Sequence, residues 1–243
     1  MIAGRRRGGL AIGAATRPAP AVLRAERAAG GWAVSGTAPW VTGWGMVDVL
    51  LVAARDADDV IVWSLVDLTA PASRAALAAE PLRLTAARAS GTVTLHVDRL
   101  PVPDDRVLGL QPHADYLARD AESLAGNGFL AVGVAARAIA GLDAGVAAAL
   151  GGELDAVRQA LLDGTATTLP GARAAAAELA VRAAAALAVH DGAAAVLAGS
   201  RAERLQREAA FCLGFGSRPA IRSRLLQVLS GGAARSGTPT DRA

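Results

Sequence analysis

The chain has 243 residues, a net charge of +3, a single cysteine, and 53% hydrophobic but only 3% aromatic residues. This length allows one large or two ordinary domains, the one cysteine excludes an internal disulfide framework and fits a reducing compartment, and no uncharged apolar run reaches the roughly 18 residues of a membrane span. The chain holds no lysine, so its pI of about 10.2 reflects how little titrates between neutrality and arginine; acids and arginines are interspersed, which argues against a nucleic-acid partner.

The N-terminus carries Arg5-Arg-Arg7 and then Gly8-Gly-Leu-Ala-Ile-Gly13. That apolar stretch is too short and glycine-rich for a secretory leader. Residues 10–15 read as a first strand, stopped by Arg17-Pro18-Ala-Pro20, because proline cannot continue a ladder. Residues 22–27 are a second strand, Gly30-Gly31 a turn, and Trp32-x-Val34 the start of a third. Residues 46–54 and 60–66 are strongly apolar and read as buried strands either side of the turn Asp56-Ala-Asp-Asp59. Residues 82–84 and 91–97 follow, the latter with Val93, Leu95 and Val97 on one face. Leu100-Pro-Val-Pro103 closes this part. About eight short strands separated by turns predict a small barrel or sandwich.

From about residue 115 the pattern becomes helical. Residues 120–142 and 153–162 are helices. Another runs through 172–190 after Thr168-Leu-Pro170, with Pro170 in its first turn and Glu178 and Arg182 paired at i,i+4. Ser200-Arg-Ala-Glu203 is a capping box opening a helix with a stripe of Ala202, Leu205, Ala209 and Cys212. Ser217 is placed to cap a last helix over 218–229. The fold class is therefore α+β: a small β-barrel-like domain (1–110), an up-down bundle of four or five helices (111–230), and a Gly/Ser/Thr-rich disordered tail (231–243). His96, His113 and His190 are scattered without ligand spacing, so no metal site is expected.

Four local patterns, in order, carry a family resemblance. They are Ala15-Thr-Arg-Pro18; Gly31-Trp through Trp40-Val-Thr42; Val97-Asp-Arg-Leu-Pro-Val-Pro103 with Val107-Leu-Gly109; and Arg204-x-x-Arg207-Glu-Ala with Phe215-Gly216 and Ile221-Arg222. Together they resemble the middle and C-terminal domains of the acyl-CoA dehydrogenase family, without its N-terminal helical domain. The resemblance implies a FAD-dependent oxidoreductase acting on the CH–CH bond of an acyl thioester, cytoplasmic, placed in fatty acid metabolism, and assembled as a homo- or hetero-oligomer through the bundle. It implies no membrane or nucleic-acid partner.

Carried over residue by residue, the resemblance puts Trp40 on the isoalloxazine ring, the Thr42 hydroxyl at flavin N5, and Thr16 at the pyrimidine edge. The physical chemistry agrees: tryptophan offers a large flat area, and a strand-end hydroxyl can bond a ring nitrogen. The pattern also departs from the family. Arg17 stands where the family has Glu, and Pro-Ala-Pro replaces the Gly-Ser-Asp that helps hold the pyrophosphate. The Arg-x-x-Phe-Gly and Gly-Gly-x-Gly-Tyr segments that reach a neighbouring subunit's FAD are missing, and His190-Asp-Gly192 stands at the second. The family removes an α proton with a Glu in the turn between the last helices, where Phe215 stands here. Glu122 lies within about one position of the alternative location on the first helix, and one position turns a helical side chain by about 100°. The catalytic base is therefore unassigned. Two expectations follow: a dehydrogenase-like flavoprotein, or a degenerate, non-catalytic subunit paired with a full-length relative.

Overall fold

The computed structural model describes residues 4–231 except Thr16, Pro18, Ala19, Ser123 and Ser217, and leaves the side chains of Ala121 and Glu122 undescribed. The chain divides into two compact units, Met1–Arg119 and Asp120–Ala243.

The first unit is mostly sheet. Its strands are β1 (Gly8–Ala11), β2 (Leu23–Ala28), β3 (Gly31–Val41), β4 (Val49–Arg55) and β5 (Val60–Asp67). After a short helix, α1 (Pro71–Ala76), come β6 (Leu77–Pro81), β7 (Val93–Pro103) and β8 (Val107–Pro112). The strand order is β6-β7-β3-β2-β4-β5-β8, with β1 parallel to β4. This corrects the barrel-like expectation: among the described residues β6 pairs only with β7, and β8 only with β5, so the sheet is open. Alternating short strands report how many strands there are, but not whether the first and last meet. The halves join at β2 and β4 through the single pair Arg24↔Arg55, and β3 bends through two register shifts against β7.

One face carries the main core: Trp32, Val34 and Ala38 of β3; Val93, Leu95 and Val97 of β7; and Leu50 and Val52 of β4. The period-2 alternation of these strands puts them there. A smaller cluster of Ala15, Ala53 and Ile61 lies apart, packed by Trp63 and Tyr116, whose rings are 5.6 Å apart.

Several sequence expectations shift. Residues 82–84 are not a strand; β6 precedes them, and α1, with Pro71 in its first turn, was not foreseen. Leu100-Pro-Val-Pro103 does not end the sheet. β7 ladders with β3 as far as Pro103, and β8 follows. The prolines are tolerated because β6 pairs only with Val93–Val97, so Pro101 and Pro103 have a strand on one side alone.

The helix α2 (His113–Glu122) crosses the division between the units, and α3 (Ala125–Ile139), α4 (Ala144–Leu162), α5 (Leu169–Asp191), α6 (Arg201–Gly214) and α7 (Pro219–Leu229) follow. The stretch expected as one helix over 120–142 is thus two. α4 begins well before residue 153, because Gly151 and Gly152 sit mid-helix facing open space. α5 is the centre of this unit, packed by α3, α4, α6 and α7. It is buried around most of its circumference, from Leu169 to Leu187. By length and composition Leu169–Val196 could cross a membrane, yet it carries Arg173, Glu178 and Arg182. Arg182 bridges Glu178 and Glu153, each at 2.5 Å, which ties α5 to α4. Ser200 caps α6 by accepting from the Glu203 amide at 3.1 Å, as the capping box predicted. The expected cap Ser217 and the tail after 231 lie outside the described residues.

Candidate functional site

The end of β3 is irregular. Ala38 pairs with Leu95 and Val41 with Val93, so two residues, Pro39 and Trp40, are accommodated in a slipped register. Trp40 takes φ +60°, in the left-handed region. For a bulky non-glycine residue this costs of order 1–3 kcal/mol and persists only where the flanking ladder enforces it. Its side chain is 56% exposed. A large aromatic held outward on strained backbone gives up both burial and backbone ease.

Thr42, two residues further on, is exposed. Its Oγ1 lies 3.1 Å from Thr92 Oγ1, which lies 2.7 Å from Ser90 Oγ. Thr92 is 7% exposed. Backbone bonds fix this group: the Gly43 amide donates to Ser90 O at 2.8 Å and the Trp44 amide to Gly91 O at 3.0 Å.

The loop that leads into the first motif approaches the bulge at Gly13. A Cβ on Gly13 would stand 3.2 Å from the Pro39 carbonyl, so the loop after β1 runs against the bulge that carries Trp40. Thr16 itself lies outside the described residues. The carbonyl of its neighbour Ala15 accepts from His113 Nε2 at 2.7 Å. With Nε2 donating, His113 Nδ1 accepts from the buried Arg55 guanidinium at 2.9 Å, and Arg55 also donates to Asp59 Oδ1 at 2.7 Å. Arg55, Asp59 and His113 therefore brace the loop. Sequence reasoning missed this group, assigned no role to Ser90, and placed Thr92 only within the strand expected over 91–97.

The second unit holds the turn where the resemblance expects a base. Phe215 stacks on Phe211, ring centroids 4.9 Å apart. The Phe215 carbonyl accepts from Arg173 Nη2 at 3.2 Å, and the Leu124 carbonyl from Nη1 at 3.1 Å. Arg173 is 5% exposed; burial, and then the charge of Arg218, lower its pKa. Burial likewise pushes the Cys212 thiol up to about 11. Asp120 is bound by Arg218 through two bonds of 2.6 and 2.7 Å, so its oxygens are already engaged. The Glu122 side chain lies outside the described residues.

A separate concavity of about 520 Å³ is lined by Trp63, Gln111, Asp115 and Arg119 and by Leu108 and Gly109 of the third motif, and neither Trp40 nor Thr42 lines it. No group of three potential metal ligands occurs among the described residues.

What the first unit offers is a flat apolar platform, an adjacent hydroxyl that can donate or accept, and a braced loop beside both. That set fits one face and one edge of a planar heteroaromatic ring. No protein-family model and no curated protein matches the sequence. Solved structures do. The chain is similar to butyryl-CoA dehydrogenase of Megasphaera elsdenii at 16% identity, over 95% of this chain and 68% of that one, with a TM-score of 0.72. It is similar to a glutaryl-CoA dehydrogenase of Mycobacterium smegmatis in complex with FADH2 at 21% identity, over 94% and 67%, with a TM-score of 0.71. A third is FkbI, for biosynthesis of the methoxymalonyl extender unit of a polyketide, at 23% identity, over 92% and 70%, with a TM-score of 0.66. The acyl-CoA dehydrogenase fold is thus shared along nearly the whole chain, which spans about two thirds of the length of those structures.

Proposed function

We propose that the first unit binds the isoalloxazine ring of FAD on Trp40 and Thr42, and that the protein is a flavin-dependent, acyl-CoA dehydrogenase-like oxidoreductase acting on the CH–CH bond of an acyl thioester. The observation that carries this is Trp40 itself: an exposed indole on left-handed backbone, two residues from an exposed hydroxyl. The shared fold supports the same reading, as does the glutaryl-CoA dehydrogenase neighbour holding FADH2. The proposal extends to a cytoplasmic location, a role in fatty acid metabolism, a 1–110 flavin-edge domain, a 111–230 up-down bundle, and homo- or hetero-oligomers formed through that bundle.

Bound FAD would supply the two-electron acceptor that acyl-thioester oxidation needs. Trp40 would cover one face of the ring and exclude water there. Thr42 would hold the N5 edge by a hydrogen bond. Thr16, next to the braced Ala15 carbonyl, would meet the pyrimidine edge. Proton removal from the substrate requires a base within bonding reach, and Phe215 cannot take a proton.

That last point favours a second reading. Phe215 is built into its turn by the Phe211 stack and by Arg173, so the turn is well made without a carboxylate. The chain would then serve as a non-catalytic, flavin-holding subunit alongside a full-length relative. The visible spectrum of the purified protein, expressed alone and with such a relative, separates the cases. Flavin in the protein alone, with turnover of acyl-CoA, supports the enzyme; flavin without turnover supports the subunit. Trp40→Ala should release the flavin and leave helicity intact, and retained flavin in that variant would remove Trp40 from the site.

A further inference from the structure

The three hydroxyls beside Trp40 have a property that neither Trp40 nor Thr42 has alone. A hydroxyl donates one hydrogen bond and can accept two. Thr92 is buried between Thr42 and Ser90, with oxygens at 3.1 and 2.7 Å. Its single proton can point to only one of them. The group therefore has two complete arrangements. In one, Ser90 donates to Thr92 and Thr92 to Thr42, which leaves the Thr42 proton for an external acceptor. In the other, Thr42 donates to Thr92 and Thr92 to Ser90, which leaves Thr42 with lone pairs for an external donor. Ser90 is half-buried, so solvent can complete its bonding either way. Only rotation about C–O bonds separates the two arrangements. The heavy atoms stay fixed by the backbone bonds from Gly43 to Ser90 and from Trp44 to Gly91.

We infer that Thr92 is a positioning residue that lets Thr42 serve both oxidation states of a bound flavin, by reversing the direction of the Ser90–Thr92–Thr42 chain. This rests on the reading that FAD binds at Trp40 and Thr42. The N5 atom of the oxidised ring is an acceptor, and matches the outward arrangement. After uptake of two electrons and a proton N5 carries hydrogen and is a donor, and matches the inward one. In the inward arrangement the Thr42 proton must go elsewhere, and Thr92 is the group that takes it. Without Thr92 both states lose the Thr42–Thr92 bond, but the oxidised ring still takes the Thr42 proton at N5, whereas the reduced state leaves that proton without its acceptor. A neutral hydrogen bond is worth about 1 kcal/mol net, so the effect is several-fold and measurable.

The test uses the full chain loaded with FAD. Affinity is measured by titration of flavin fluorescence, and the two-electron potential by dithionite titration against a reference dye. Thr92→Val keeps the shape and removes the hydroxyl. It should bind oxidised FAD within about twofold of wild type and reduced FAD about fivefold more weakly, which for a two-electron couple is a potential about 20 mV more negative. Thr92→Ser should restore the wild-type potential. Adding Thr92→Val to Thr42→Val should change nothing further, since the two act through one chain. Thermal denaturation checks that Thr92→Val is folded. An unchanged potential in folded, FAD-bound Thr92→Val overturns the inference and leaves the flavin reading standing. Additive shifts in the double variant overturn it too. A wild-type chain that binds no FAD overturns both.

Discussion

Arg173 shows how much a single side chain can organise without touching an acid. Its guanidinium is buried, and its hydrogen bonds go to the carbonyls of Leu124 and Phe215. Those residues flank the start of α3 and the α6–α7 turn, so one side chain of the central helix fixes both. Asp120 and Arg218 pair nearby, and at the buried guanidinium the charge of Arg218 outweighs that of Asp120. Arg173→Met should keep most of the packing of the stem and strip the donors from two carbonyls. An unsatisfied buried group costs about 1–3 kcal/mol, so urea unfolding followed by helicity should show a loss of about 2–3 kcal/mol. Arg173→Lys should recover little, because a point ammonium cannot span two carbonyls as a planar fork does. Full stability in the methionine variant would mean that water replaces the donors and that the turn holds itself.

Elements are where close packing becomes testable by substitution within one helix. In α3, a Cβ on Gly128 would stand 2.6 and 2.9 Å from the two methyls of Leu161 and 2.9 Å from Arg173 Cδ. Leu161 is buried in the core, so it has little room to yield. A Cβ on Gly133, one and a half turns further, meets nothing within 4 Å. Gly133→Ala should stabilise the protein by about 0.5–1 kcal/mol through helix propensity alone. Gly128→Ala should instead destabilise it, by about 1–2 kcal/mol after that same gain is offset by overpacking. Chemical denaturation of both variants decides it; a stabilising Gly128→Ala would mean that Leu161 repacks freely.

The same scale explains what could be read in advance. The strands of the core and the capped helix α6 were legible because period-2 and i,i+4 patterns are local. Trp40 and Thr42 are singled out in the sequence by their resemblance to a known motif. The left-handed backbone at Trp40 was not, since it arises from the ladder that β7 imposes on β3. The braces were also invisible: Thr42 and Thr92 lie 50 positions apart, Arg55 and His113 58, and His113 and Ala15 98. Pattern along a chain cannot report pairs that only the sheet brings together. The open sheet escaped for the same reason, because closure depends on β6 and β8, which are far apart in sequence.

Across the whole molecule, the two units differ in what stabilises them, and this gives each its own spectroscopic signal. All four tryptophans, Trp32, Trp40, Trp44 and Trp63, lie in the first unit, while the second is almost entirely helix. Half of the helical unit's buried core is alanine, which removes less apolar area from water per residue than valine, leucine or tryptophan. The sheet core uses those larger residues. On heating, ellipticity at the helix band should therefore fall before tryptophan fluorescence changes. If FAD binds where Trp40 and Thr42 sit, it stabilises the folded form of the first unit by mass action, by about 2.7 kcal/mol at a hundredfold excess over Kd. Added FAD should then raise the fluorescence transition by several degrees. A larger shift in the helix band than in the fluorescence would place the dominant flavin contacts in the second unit, and would move the search for the site to its helices.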